Sequence, residues 1–140
     1  MEKEIVTKVA WAPIIDGKLV GARTRGLTLV YNIGGKPERK KNGKMETHVE
    51  AMIREAKEET TVDLIPESIK FEKFFIGPGV DKAAGKVTEL HLYSADYIGT
   101  IQPAGEVEEI VYLGLADRHR VPDIGRQIID WLYETGKITA

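Results

Sequence analysis

The sequence predicts a layered domain, α/β or α+β, in which a mixed sheet is covered by helices. Three observations carry that expectation. Short runs rich in β-branched and aromatic residues, bounded by Gly, Pro or Asn turns, fill most of the chain. Only the segments 45–62 and 122–136 repeat their apolar residues at helical spacing. No internal repeat, low-complexity tract or linker interrupts the 140 residues, so residues 1–140 are expected to form a single domain.

Residues 5–15 are apolar and β-branched, and Asp16-Gly17 follows as a hairpin turn. Residues 18–24 and 27–32 read as strands separated by Arg25-Gly26. Gly34-Gly35 then frees the backbone for a turn or for close approach to a ligand. A basic loop, 39–44, contains the turn signal Asn42-Gly43. The first helix opens on Thr47 and Glu50, spaced for a capping box, and is expected to stop near Thr60 because Thr60, Thr61 and Val62 are β-branched. Strands are expected at 69–76, at 87–98 with one slip of phase, and at 110–115. Pro122 suits a first helical turn, and Ile124, Ile128, Ile129, Leu132 and Tyr133 form the apolar face of a second helix closed by Gly136.

Composition removes several function classes. A hydrophobic fraction of 42% with 30% charged residues fits an ordinary globular core and excludes a disordered or collagen-like chain. With a formal net charge of −2, no bulk attraction draws the chain to long nucleic acid or to an anionic membrane. No apolar stretch approaches the roughly 20 residues that span a bilayer, and residues 1–4 lead into a strand-like run without a signal core. The absence of cysteine excludes disulfides, thiol catalysis and thiolate zinc sites, and fits a cytoplasmic location.

The chemistry concentrates in the first helix. At about 100° per residue, Glu55, Glu58 and Glu59 share one sector, while Val49, Ile53, Ala56 and Thr60 are expected to form a separate stripe against the core. Glu55 and Glu59 are four residues apart, where like charges cost about a few tenths of a kcal/mol. A hard cation such as Mg²⁺ prefers such oxygen ligands and would remove that penalty. Arg54 can orient a carboxylate through a bidentate pair. Taken alone, the pattern fits a solvated face with a Glu50–Arg54–Glu58 ladder better than a metal site.

The surrounding pattern separates these readings. Gly34-Gly35-Lys36-Pro37-Glu38, then Glu46 seven residues before Arg54, then Arg54-Glu55-Ala56-Lys57-Glu58-Glu59-Thr60-Thr61-Val62, together resemble the signature of the Nudix (MutT-like) hydrolase family. With the preceding strands, the late strand and the C-terminal helix, the resemblance spans essentially the whole chain. It implies an α/β/α sandwich with a mixed β-sheet between helices. It also implies metal-dependent cleavage of a pyrophosphate bond in a nucleoside diphosphate linked to another moiety, such as a nucleoside triphosphate or a nucleotide-sugar-like substrate. Carried over by position, Arg54, Glu55, Glu58 and Glu59 would be catalytic. Glu55, Glu58, Glu59 and the carbonyl of Gly35 would hold Mg²⁺ or Mn²⁺. A downstream carboxylate would join them, with Glu106 preferred over Glu108 and Glu109.

Arg23, Arg25 and Lys36 are candidates for touching substrate phosphate. The implied partner is a small nucleotide or diphosphate, and a homodimer is left open. His48 is expected to be hydrogen-bonded or exposed, and the basic loop Arg39, Lys40, Lys41 and Lys44 to face solvent. Two departures stand out: residues 39–44 lengthen the loop before the helix, and Thr61 replaces the late glycine, where a turn needs φ > 0. The alternative from another class is a Nudix-fold binding or regulatory module without catalysis. Isomerase chemistry on an isoprenyl diphosphate is disfavoured by the lack of cysteine.

Overall fold

Alternation along the central strands sorts their side chains between two cores. In β1 (Ile5–Trp11), Val9 and Trp11 face one layer and Ala10 the other. The computed structural model describes residues 2–140. After β1 come β2 (Ile14–Ile15), β3 (Lys18–Thr24), β4 (Tyr31–Gly35), α1 (His48–Thr60), β5 (Asp63–Leu64), β6 (Lys70–Pro78), β7 (Val87–Ser94), β8 (Tyr97–Ile98), β9 (Val107–Leu113) and α2 (Asp123–Glu134). The main sheet runs β2-β3-β4-β1-β7-β6, with β9 also antiparallel to β3, and β5 pairs β8 in a separate ribbon. β1 and β7 are parallel while the other pairs are antiparallel, so the sheet is mixed, as the sequence predicts.

Helix α2 covers one face through Ile124, Ile128, Ile129 and Leu132, which meet Leu19, Leu90, Leu92 and Leu113. Helix α1 covers the other through Ala51, Met52 and Ala56, against Val9, Trp11, Val20 and Ile33. The result is an α/β/α sandwich.

Several boundaries differ from the sequence expectation, each for a local reason. The first apolar run breaks at Ala12-Pro13, where proline has no N–H to give the ladder. Residues 27–30 turn instead of extending: the Leu27 N–H donates to the Thr24 carbonyl, and the strand begins only at Tyr31. The long strand expected at 87–98 stops at Ser94, because the Ser68 hydroxyl takes the Asp96 N–H at 2.7 Å. The expected stripe Val49–Ile53–Ala56–Thr60 is rotated. Val49 is exposed, whereas Ala51, Met52, Ala56 and Thr60 are buried. Small side chains let α1 lie close to the sheet, and that rotation turns Glu55 and Glu59 toward β4. Tyr133 on α2 is likewise exposed.

Candidate active site

The site begins with the start of α1. The Thr47 hydroxyl accepts the Glu50 N–H at 3.1 Å and the Glu50 carboxylate accepts the Thr47 N–H at 2.9 Å, the complete reciprocal cap. This fixes where the helix starts and therefore where each glutamate lies. Two turns later Arg54 gathers the carboxylates. Its Nε and Nη2 donate to the two oxygens of Glu46 at 2.8 and 2.9 Å, a bidentate fork. Its Nη1 donates to Glu55 at 2.8 Å and to Glu58 at 3.3 Å, and Nη2 also reaches the Lys36 carbonyl at 3.2 Å. The arginine holds down Glu46 and Glu55 and ties α1 to the segment after β4.

The two glycines of β4 are required by close approach. A Cβ at Gly35 would fall 2.7 Å from Glu55 Oε1, so only glycine lets that carboxylate seat against the strand. Gly34 has φ 150, and a Cβ there would fall 2.1 Å from the Val9 carbonyl. Its N–H donates to Glu59 Oε1 at 3.0 Å. Burial pushes the Glu59 carboxyl up to about 8, against the pull of that N–H, with Glu55 and Glu58 adding to the rise. Burial also raises Glu55, which Arg54 opposes. Glu58 is the exposed member of the trio. Among the described residues no three His, Asp or Glu side chains stand close enough to hold a metal on their own. Arg54 engages Glu55 and Glu58 while Glu59 turns to the Gly34 N–H, so the like charges stay apart.

The remaining candidates divide. The Glu106 side chain is exposed, on a loop that docks against the end of α1: the Ala104 N–H donates to the Glu59 carbonyl at 3.1 Å. Arg23 is engaged by β9, donating to Glu109 at 3.1 Å and to Glu108 at 3.2 Å. Arg25 is exposed, and its backbone N–H donates to the Glu106 carbonyl. Lys36 follows Gly35 directly and is exposed, with its carbonyl held by Arg54. His48 is hydrogen-bonded, its Nδ1 2.7 Å from the Tyr93 hydroxyl.

The long loop is a small hairpin. Arg39 bridges Met45, the Lys40 N–H donates to the Lys44 carbonyl at 2.7 Å, and the Glu46 N–H donates to the Glu38 carbonyl at 2.8 Å. The extra residues therefore loop out and return, leaving Glu38 and Glu46 adjacent beside Arg54. Thr61 keeps the left-handed conformation that the family's glycine would adopt, with φ 70 and ψ −7, and its hydroxyl donates to the Thr100 carbonyl at 3.1 Å. Two further residues lie near the site without a role that the sequence assigns them. Glu46, half of the arginine fork, is signalled by its spacing to Arg54, and Lys8 only by being a cation in an apolar strand.

No family model and no curated protein matches this sequence. Solved structures do match. A nudix hydrolase family member from Chromobacterium violaceum is 18% identical, with a TM-score of 0.73 over 96% of this chain and 80% of that one. A NUDIX hydrolase from Nitrosomonas europaea is 14% identical, with a TM-score of 0.72 over 97% of this chain and 93% of that one. A bifunctional NMN adenylyltransferase/ADP ribose pyrophosphatase from Francisella tularensis, complexed with AMP and a Mn ion, is 23% identical with a TM-score of 0.66. The match covers 95% of this chain and 42% of that longer one. The chain has the fold of the Nudix hydrolases.

Proposed function

We propose that this protein is a divalent-metal-dependent pyrophosphohydrolase acting on a nucleoside diphosphate linked to another moiety. The observation that carries the reading is the seating of two partly buried carboxylates on a glycine strand: Glu55 against Gly35 and Glu59 under the Gly34 N–H. A buried carboxylate costs stability unless something positive joins it, and no lysine or arginine pairs with Glu59 among the described residues. The donor set of carboxylates and backbone carbonyl suits Mg²⁺ or Mn²⁺ and not a thiophilic metal. When bound, such a cation neutralises phosphate charge and acidifies a coordinated water.

The chain's own residues do the rest. Glu55, Glu58, Glu59 and the Gly35 carbonyl would hold the cation, and Glu106 would complete the set from its adjoining loop. Arg54 positions Glu55 and, through Glu46, fixes the loop that carries Lys36. A glutamate in reach of the attacking water would take its proton. Arg23, Arg25 and Lys36 would meet the substrate phosphates, Arg23 after exchanging Glu108 and Glu109 for the ligand. The AMP and Mn of the Francisella tularensis complex are consistent with a nucleotide substrate and a divalent cation. A single 1–140 domain in the cytoplasm fits this reading.

The test is release of phosphate, pyrophosphate or nucleoside monophosphate from a panel of nucleoside triphosphates, nucleotide sugars and dinucleoside polyphosphates with Mg²⁺. Glu59→Gln should lower turnover by about a hundredfold or more. Undiminished turnover in that variant would remove Glu59 from the machinery.

A further inference from the structure

The antiparallel register of β1 and β4 pairs Ala10 with Gly34 and Val9 with Gly35. Continued by one residue, it sets Lys8 opposite Lys36, just past the end of β4. Like charges directly opposite on neighbouring strands are destabilising. Here one of them is also half-buried, on a central strand of the sheet. Neither lysine has a carboxylate within ion-pair distance among the described residues. Burial and the charge of Lys36 both hold the Lys8 ammonium below its usual range, while Asp81 and Glu59 pull the other way from a distance. Asp81 is itself occupied by the Tyr31 hydroxyl. Arg54 donates to the Lys36 carbonyl at 3.2 Å, which holds the Lys36 backbone in place, while its side chain is exposed.

We propose that Lys8 and Lys36 form a two-lysine clamp for a phosphate group of the substrate, at the end of β4 on the sheet face that Lys8 shares with Ala10. The inference rests on the proposed pyrophosphohydrolase and adds a residue that reads the substrate. A phosphate between two ammonium groups is paired from both sides, which removes the repulsion built into the empty register. A divalent cation held by Glu55 and Glu59 would supply further charge neutralisation for the diphosphate. Because Lys8 sits on a strand paired on both sides, the clamp is placed by the sheet and not by a loop.

The probe is inorganic pyrophosphate, titrated calorimetrically into the full chain with EDTA present. The wild type should bind with a dissociation constant below about 1 mM. Lys8→Met should weaken binding about tenfold or more, while Lys8→Arg should stay within about threefold of wild type. Lys8→Met should also raise the melting temperature, since it removes a half-buried charge facing Lys36, so lost binding cannot be ascribed to unfolding. No pyrophosphate binding by the wild type, or equal binding by Lys8→Met, overturns the clamp. The two proposals separate cleanly. Lys8-dependent binding without hydrolysis of any substrate keeps the clamp and removes the hydrolase. Metal-dependent hydrolysis with the KM of Lys8→Met unchanged does the reverse.

Discussion

The two helices lie on opposite faces of one sheet and are held there by different forces. α2 buries Ile124, Ile128, Ile129 and Leu132, and no side chain caps its start. α1 buries only Ala51, Met52, Ala56 and Thr60, but it has a complete capping box and an arginine paired with four glutamates. Positions on α1 that would hold leucine or isoleucine in a helix built for stability are given to Glu55 and Glu59. The difference teaches where the molecule keeps its stability and where it gives some up for a polar site. Ile128→Ala on α2 tests the first half. The side chain is fully buried, so the change should cost about 3 kcal/mol in urea unfolding while leaving turnover per folded molecule unaltered. A cost under about 1 kcal/mol would mean that α2 is not the stabilising layer.

On the α1 side, Gly35→Ala is the corresponding probe. The added methyl would meet Glu55 at 2.7 Å, so the carboxylate must leave its seat or the strand must shift. The methyl meets only the far end of a flexible side chain, so the stability cost should stay under about 1 kcal/mol while metal-dependent turnover falls much further. Thr61→Gly should work in the opposite direction. A β-branched residue at φ 70 carries about 1–2 kcal/mol of strain, partly offset by the freedom glycine loses on folding. The net gain should be about 0.5 kcal/mol, seen as a higher urea midpoint with unchanged slope. A lower midpoint would show that the hydroxyl bond to the Thr100 carbonyl outweighs the strain.

What could be read beforehand follows the same division. The capping box, the end of α1, the mixed sheet and the seven-residue step from Glu46 to Arg54 are local patterns, and local chemistry enforces them. The turn of α1 about its axis was not legible, because Val49 and Ile53 outrank Ala51 and Met52 in hydrophobicity. Only the closeness of the sheet favours Ala51 there, with Met52 filling the space beside it. Strand ends at Tyr31 and Ser94 depend on partners far along the chain, Arg120 for the Val30 N–H and Ser68 for Asp96. The engagement of Arg23 by Glu108 and Glu109, and the approach of Lys8 to Lys36, need strand register, which neither segment encodes alone. The basic hairpin is a middle case: Asn42-Gly43 announces its turn, but not that its stem would close beside Arg54.

The smallest expected effect concerns the uncovered flank of α1, where His48 meets β7. Its Nδ1 lies 2.7 Å from the Tyr93 hydroxyl and its ring centre 4.8 Å from that of His91, with Phe71 and Phe74 close by. Burial, and then repulsion from His91, lower the His48 pKa from the ordinary 6.5. In the unfolded chain the imidazole returns to that ordinary value, so just below it the unfolded state binds the proton more readily. Stability from this group is therefore complete above about pH 6.5 and is lost as the pH falls toward the lowered folded value. His48→Gln removes the titrating group while keeping a polar partner for Tyr93. The urea midpoint of the wild type should drop between about pH 7.5 and about pH 5.5, and the drop should be smaller in His48→Gln. An identical drop in both proteins would place the acid sensitivity elsewhere. It would also mean that this end of α1, unlike the Glu55–Glu59 end, is as indifferent to charge as α2.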